Sequence, residues 1–147
     1  MASVSTYLNF NGTTEEAFLF YAEVFGTKFV APIFRLGDGP PMEPELPEEV
    51  KRLVMNVQLP ILAGHVIMGT DIVESMGHAL TVGNNTSINL TPDTRAETER
   101  LFAALSEGAS ESSGLEDMFW GSYFGTCLDR FGIRWMFNCY EPAVSLG

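Results

Sequence analysis

Carboxamide side chains on several predicted strands are the residues best suited to hold a small polar ligand. They are Asn9, Asn56, Gln58, Asn89 and Asn138. An amide offers a donor and an acceptor without net charge, so such a set could orient a neutral or zwitterionic molecule in a cavity. The alternative is that these amides simply face solvent, because antiparallel sheets often leave one face wet.

Strand alternation would bring these amides to a common surface. In the segment 53–59, the odd positions (Leu, Met, Val, Leu) fall on one side, and Val54, Asn56 and Gln58 fall on the other. Asn9 and Asn138 alternate with apolar neighbours in the same way. If the wetter face of each strand is the concave one, the amides point into a cavity.

Nucleophilic and nucleotide-dependent chemistry has little support in the sequence. Cys127 and Cys139 have no histidine nearby, and there is no G-x-S-x-G elbow. No glycine-rich loop between a strand and a helix suits a nucleotide-like cofactor. Two cysteines without C-x-x-C spacing are typical of buried thiols in a reducing compartment, so we expect a cytoplasmic protein.

Composition excludes several classes of partner. The chain has 147 residues, is 46% hydrophobic and carries a formal net charge of −11. Its length and hydrophobic content fit one domain with a substantial core. The eight basic residues form no run, which argues against nucleic acid and anionic membrane surfaces as partners. No apolar stretch approaches the length of a membrane span.

A first helix is predicted after the strand 4–10. Thr13 and Glu16 have the spacing of a capping box, in which a threonine oxygen and a glutamate carboxylate satisfy free amides. Gly26 provides a left-handed stop. The predicted buried face is Ala17, Phe20, Tyr21, Val24 and Phe25.

Three strands, 28–36, 53–59 and 65–70, complete a first βαβββ module over about residues 1–71. The segment 37–51 is rich in proline and acidic residues and is predicted to be an exposed excursion or flap. Residues 72–83 are predicted to be a linker.

The same order of elements recurs over about residues 84–141. Strand 86–90 precedes Thr94 and Glu97, which open a helix, and strands 109–113, 122–129 and 134–140 follow. The helix pattern recurs with an offset of 81 positions between Thr13 and Thr94. The sequence therefore predicts an α+β domain built from two modules.

Two sets of motifs give the chain a family resemblance. Tyr7-Leu8-Asn9-Phe10 opens it, and Phe119-Trp120-Gly121 followed by Asp129-x-Phe131-Gly132-x-x-Trp135 closes it. The chain resembles the PhnB-like branch of the vicinal oxygen chelate superfamily, which includes glyoxalases, bleomycin resistance proteins and dioxygenases. The resemblance implies two curved antiparallel half-sheets around a cavity, commonly in a homodimer.

The closing motif also suggests roles for individual residues. Phe119, Trp120 and Tyr123 are expected to form an aromatic rim beside a cavity, with Trp120 packed structurally and the Tyr123 hydroxyl in contact with the ligand. The alternative is that all three rings belong to the core. Asp129 is interpreted as a turn residue, with Gly132 at positive φ, and not as a general base.

The resemblance also bears on metal binding. Metal-dependent relatives place His, Gln or Glu on the first and last strands of each module. The histidines here are His65, at a strand start, and His78, in the linker, and the last strand carries Met136 and Asn138. Amide oxygens are weak ligands for first-row transition ions, so we expect no cofactor and no catalytic metal.

The leading hypothesis is therefore a small-molecule-binding protein that is a PhnB-like homodimer. One alternative is a metal-dependent lyase, isomerase or dioxygenase of the same superfamily that uses Gln58 with His65 or an acid such as Glu141. The other is a resistance protein that sequesters a drug without turnover.

Overall fold

The computed structural model of the chain describes residues 1–143. Contacts within the chain separate two compact units, with the boundary between Thr81 and Val82, inside the predicted linker. The first unit contains β1 (Thr6–Phe10), α1 (Thr14–Phe25), β2 (Phe34–Arg35), α2 (Glu48–Lys51), β3 (Val54–Pro60) and β4 (Val66–Asp71). The second contains β5 (Ile88–Leu90), α3 (Arg95–Leu105), β6 (Glu111–Asp117), β7 (Tyr123–Leu128) and β8 (Arg134–Cys139).

Each unit carries one open four-stranded sheet, and both sheets have the same topology. The strand orders are β1-β4-β3-β2 and β5-β8-β7-β6. This confirms the predicted α+β fold with a repeated βαβββ order. The sheets are mixed and not antiparallel as expected, because β1 pairs with β4, and β5 with β8, in parallel. The crossover that contains the helix allows the last strand to run beside the first in the same direction.

Helix α1 covers one face of the first sheet. Its fully buried side chains include Ala17, Phe18 and Tyr21. The prediction that Phe20 and Phe25 lie on the buried face is wrong, because both are only half-buried. Phe18 takes that place because it packs against Gly69 on β4, where an added Cβ would overlap the Phe18 ring.

The start of α1 is held by a residue distant in sequence. Thr13 makes no side-chain cap, so the predicted capping box is wrong. Instead, the Thr14 amide and hydroxyl donate to Asp71 Oδ1 at 3.1 and 2.6 Å, and the Val54 amide donates to Asp71 Oδ2 at 2.9 Å. Asp71 is buried at the end of β4, and its negative charge suits the positive end of the helix dipole.

Helix α3 starts 81 positions after α1 and also receives a carboxylate. The Arg95 amide donates to Glu141 Oε2 at 2.8 Å, and the Glu97 amide donates to Thr94 Oγ1 at 3.1 Å. Half of the predicted second capping box is therefore confirmed. The Glu97 carboxylate binds Arg100 and does not return to Thr94.

Two predicted strands have different bounds in the structure. Only Phe34 and Arg35 of the segment 28–36 form a strand, because Pro32 has no amide to donate to a ladder. The Val30 amide still donates to the Gln58 carbonyl, so the chain follows β3. In the second unit, β6 runs over Glu111–Asp117 in place of 109–113.

An irregularity in β3 changes which side chains are buried. Phe34 pairs with Asn56 and Arg35 with Val54, so Met55 is an extra residue opposite β2. Val54 is therefore 1% exposed and Met55 is 47% exposed. The alternation predicted across positions 54 and 55 is wrong, whereas Asn56 and Gln58 remain on the face opposite Val57 and Leu59.

The segment 37–51 contains α2 and, as predicted, adds no strand. Lys51 pairs there with Glu45 and Glu48. A cavity of about 320 Å³ lies within this segment. None of the helices in residues 1–143 combines the length and hydrophobicity that a membrane-spanning helix needs.

We expect Asp71→Asn to lower the free energy of unfolding by about 3 kcal/mol, because an amide nitrogen would face one of three buried donors. Urea denaturation measures this change. The matched control is Asp93→Asn, at an exposed position. Equal midpoints for both variants would contradict the role given to Asp71.

Candidate functional site

The face of the first sheet that is not covered by α1 is the candidate site, and we call it the first open face. Register places Gln58 beside Met68, Met68 beside Tyr7, and Asn9 beside Thr70. Phe34 extends the same face through its pairing with Asn56. The first open face is thus made of uncharged residues: Tyr7, Asn9, Phe34, Asn56, Gln58, Met68 and Thr70.

Three of the predicted site residues meet on this face. The Gln58 Nε2 group donates to Asn56 Oδ1 at 3.3 Å, and both side chains are half-buried. The Asn9 carboxamide is exposed and has no hydrogen-bond partner among residues 1–143. Asn9, the Asn56 amino group and the Gln58 carbonyl therefore keep hydrogen-bonding capacity for a ligand.

Apolar surface accompanies these amides. Tyr7 is 49% exposed and Phe34 is 43% exposed. The Met68 sulfur accepts a hydrogen bond from the Ser5 hydroxyl at 3.4 Å. Exposed aromatic and thioether groups beside free amides can contact the planar or apolar part of a small molecule while the amides orient its polar part.

A cavity of about 490 Å³ adjoins the first open face at Asn9. Its wall also includes Thr70 and His78. The sequence predicts His78 to lie in a linker and does not indicate that it shares a cavity with Asn9. The segment after β4 has no periodic pattern, so no signal in the sequence marks this contact.

The corresponding amides of the second unit already form hydrogen bonds with other side chains of that unit. Ser122 Oγ donates to Asn138 Oδ1 at 2.9 Å, Asn138 Nδ2 donates to Asn89 Oδ1 at 2.7 Å, and Asn89 Nδ2 donates to Thr91 Oγ1 at 3.1 Å. The structure brings Asn89 and Asn138 together. Their bonds tie β5 to β8, so less of their capacity is free for a ligand.

The three aromatic residues of the closing motif do not form one cluster. Phe119 and Trp120 pack edge to face with ring centroids 5.1 Å apart, and Tyr123 lies elsewhere. Trp120 packs edge-on against Phe124 with ring centroids 5.7 Å apart, and Phe124 pairs with Asn138. Trp120 is 47% exposed, so it is less packed than expected, and Phe119 is 97% exposed. Trp120 therefore lies on the side of the sheet that carries Asn138.

Tyr123 lies on the opposite, helix-facing side. Its hydroxyl donates to Glu99 on α3 at 2.8 Å, and the Arg95 guanidinium lies 3.8 Å from its ring centre. Arg95 also forms two 2.8 Å bonds to Asp117, which lower the pKa of that carboxyl. The structure thus does not bring Tyr123 together with the amides, and it gives the Tyr123 hydroxyl a protein partner.

The turn role predicted for Asp129 is confirmed. Its Oδ1 accepts hydrogen bonds from the Phe131 and Ile133 amides at 2.8 and 3.0 Å, and its Oδ2 accepts from Trp135 Nε1 at 2.8 Å. Gly132 has a φ of 88°. A buried carboxylate with three donors around it is held in place as an acceptor, as a turn residue is.

The donor set of the first open face does not fit a catalytic metal. Amide and hydroxyl oxygens and a thioether do not together suit a first-row transition ion. His65, which could supply an imidazole, is hydrogen-bonded at Nε2 to Thr6 Oγ1 at 2.9 Å. In residues 1–143, no three His, Cys, Asp or Glu side chains are grouped so as to hold a metal ion.

Comparison with known proteins identifies a family and similar solved structures. The family model described as 3-demethylubiquinone-9 3-methyltransferase matches residues 2–137. The crystal structure of protein PA1353 from Pseudomonas aeruginosa is 34% identical, with a TM-score of 0.82 over 97% of this chain and 100% of that one. The PhnB protein of Bacillus cereus is 24% identical, with a TM-score of 0.72 over 94% of this chain and 99% of that one.

A more distant structure identifies the fold. A glyoxylase/bleomycin resistance protein/dioxygenase domain from Frankia is 13% identical, with a TM-score of 0.63. The alignment covers 95% of this chain and 98% of that one. The fold expected from the closing and opening motifs is therefore confirmed.

We expect Tyr123 to contribute to stability in a pH-dependent way. Burial, followed by the bond to Glu99, raises the pKa of its hydroxyl above the ordinary value. Because the folded-state pKa is the higher one, this contribution is fully present below the unfolded pKa of about 10 and is lost as the pH rises through the folded pKa. Thermal melts between pH 8 and pH 11 test this.

The measurement compares the wild-type protein with Tyr123→Phe and Tyr140→Phe. The Tyr123→Phe variant should lose less stability at alkaline pH than the wild type. Tyr140→Phe changes an exposed ring and is the control. Parallel curves for the wild type and Tyr123→Phe would contradict the prediction.

Proposed function

We propose a function for this chain from its family and from the chemistry of its first open face. The chain belongs to the 3-demethylubiquinone-9 3-methyltransferase family, in the PhnB-like group. We infer that it binds a small, uncharged organic molecule without a catalytic metal. The observation that carries this proposal is a sheet face that bears three carboxamides and exposed aromatic rings, and to which residues 1–143 contribute no charged side chain.

The chemistry of this face favours binding over catalysis. A carboxamide can orient a ligand through its donor and acceptor, but it does not exchange protons near neutral pH as a general acid or base must. The net charge of −11 also makes the surroundings unfavourable for anions. An uncharged ligand with one polar group and one planar or apolar part is the best match.

Methyl transfer from a nucleotide-like donor does not fit the described residues. Such a donor is typically held at a glycine-rich turn that opens a helix. The turn before α1 has one glycine, Gly12, and Asp71 already accepts the bond from the first helical amide. In the second unit, Glu141 takes the same position at α3. We therefore propose no methyl-transfer step.

The protein is also proposed to act in the cytoplasm as a homodimer. Cys127 and Cys139 are buried free thiols, which supports a reducing compartment. Phe119 and Trp120 expose apolar surface that a second copy could cover. Light scattering coupled to size-exclusion chromatography tests the dimer.

A fragment screen by ligand-observed NMR tests the binding proposal. Uncharged planar fragments should bind, and anions of the same shape should not. Gln58→Leu and Asn56→Leu should each weaken binding of the best fragment about tenfold, the effect of losing one or two hydrogen bonds. Asn84→Leu, the same type of change at an exposed position in the second unit, should have no effect.

The absence of a catalytic metal has its own test. Protein purified without a chelator or an affinity tag should contain far less than one Mn, Fe, Co, Ni or Zn per chain by elemental analysis. Addition of these ions should leave the melting temperature unchanged. Stoichiometric metal with a raised melting temperature would overturn this part of the proposal and favour the metal-dependent alternative.

A further inference from the structure

The wall of the cavity beside Asn9 is formed by strand residues and by residues of the segment that follows β4. Asn9, Thr70 and Asp71 belong to strands, and residues 72 and 78–81 belong to the segment that follows β4. The cavity measures about 490 Å³, within the range of sites for small molecules. Its wall combines polar groups with the apolar side chains of Ile72, Ala79 and Leu80.

His78 is fixed in this wall by bonds to Val73. The Val73 amide donates to the His78 Nδ1 atom at 3.1 Å, and the His78 amide donates to the Val73 carbonyl at 3.3 Å. Val73 is buried, and the Ile72 amide donates to the Phe10 carbonyl at 2.7 Å. Gly77, with φ of 86°, turns the chain back between them. The imidazole is therefore tied to the sheet although it is exposed.

This bond determines which nitrogen carries the proton. A ring nitrogen that accepts a hydrogen bond is unprotonated, so the neutral imidazole of His78 carries its proton on Nε2. Nothing else in residues 1–143 is hydrogen-bonded to that ring. His78 thus presents an N–H donor that no group in residues 1–143 uses.

The charges around this donor disfavour an anionic ligand. Asp71 lines the cavity, and both of its oxygens already accept bonds from Thr14 and Val54. Glu74, between Val73 and His78, accepts a bond from Asn11 Nδ2 at 2.9 Å. Both carboxylates would repel an anion, whereas a neutral carbonyl oxygen can accept from His78 without that cost.

Asn9 supplies the complementary group. Its free carboxamide offers both a donor and an acceptor at the same cavity. A primary or secondary amide needs a donor for its oxygen and an acceptor for its N–H group, and His78 with Asn9 provides both.

We propose that the cavity binds the amide group of an uncharged small molecule, with His78 Nε2–H donating to its carbonyl oxygen and the Asn9 carboxamide pairing with its N–H. This assignment rests on the proposed function and identifies its polar anchor. Ile72 and Leu80 contact the apolar part of the ligand.

NMR of protein labelled with ¹⁵N-histidine tests the tautomer first. Neutral His78 should show a protonated Nε2 and an unprotonated Nδ1. The opposite tautomer would overturn the proposal, because the ring would then present an acceptor to the cavity.

Titrations with benzamide and benzoate test the ligand class, since the two probes share their shape and differ in charge. Benzamide should shift the side-chain signals of His78 and Asn9, and benzoate should bind at least tenfold more weakly. His78→Asn keeps an oxygen that can accept from the Val73 amide, but its shorter side chain places no donor at the position of Nε2. It should weaken benzamide binding about tenfold at an unchanged melting temperature.

The outcomes separate this inference from the proposed function. Benzamide shifts at Asn56 and Gln58 without shifts at His78 would overturn the inference and leave the proposed function intact. No benzamide binding at all would also overturn the inference, while the fragment screen would still decide the proposed function. His78→Ala, which removes the Nδ1 acceptor as well, should lower the melting temperature and shows whether the loop bond exists.

Discussion

Each unit depends on a carboxylate that lies at the end of its last strand or just after it and accepts a hydrogen bond from the first amide of the helix. Asp71 does this for α1 and Glu141 for α3. The bond fixes the helix to the far end of its own module, across 57 positions in the first unit and 46 in the second. Since a helix so anchored covers one face of its sheet, the other face is left for binding.

The two units use that free face differently. In the second, four polar side chains from Ser122 to Thr91 bond to one another and hold the strands together. In the first, the equivalent face has amides with spare capacity and an open cavity at Asn9. A repeated fold therefore yields one unit whose polar groups stabilise structure and another whose polar groups are available to a ligand.

Local sequence signals predict the features that depend on contacts between residues close in sequence. The Thr94 cap of α3, the left-handed Gly26 and Gly132, and the Asp129 turn follow from contacts within a few residues. The Asp71 cap could not be found in this way, because its partners are distant in sequence. Phe18 and Phe20 are equally apolar, and only Gly69 on another strand decides which is buried. The extra residue Met55 and the bonds of His78 likewise depend on tertiary contacts. Strand alternation therefore predicts the wrong face for Met55 and gives no prediction for His78.

The short strand β2 affects how readily this protein aggregates at high concentration. An exposed sheet edge is a template on which another chain can add a strand, and such addition is the first step of many aggregates. Here Pro32 removes a donor just before the edge, and the irregularity at Met55 disturbs the register behind it. Only two residues remain as a regular template, so the side of the first sheet that carries Phe34 resists self-association through its backbone while its side chains stay available.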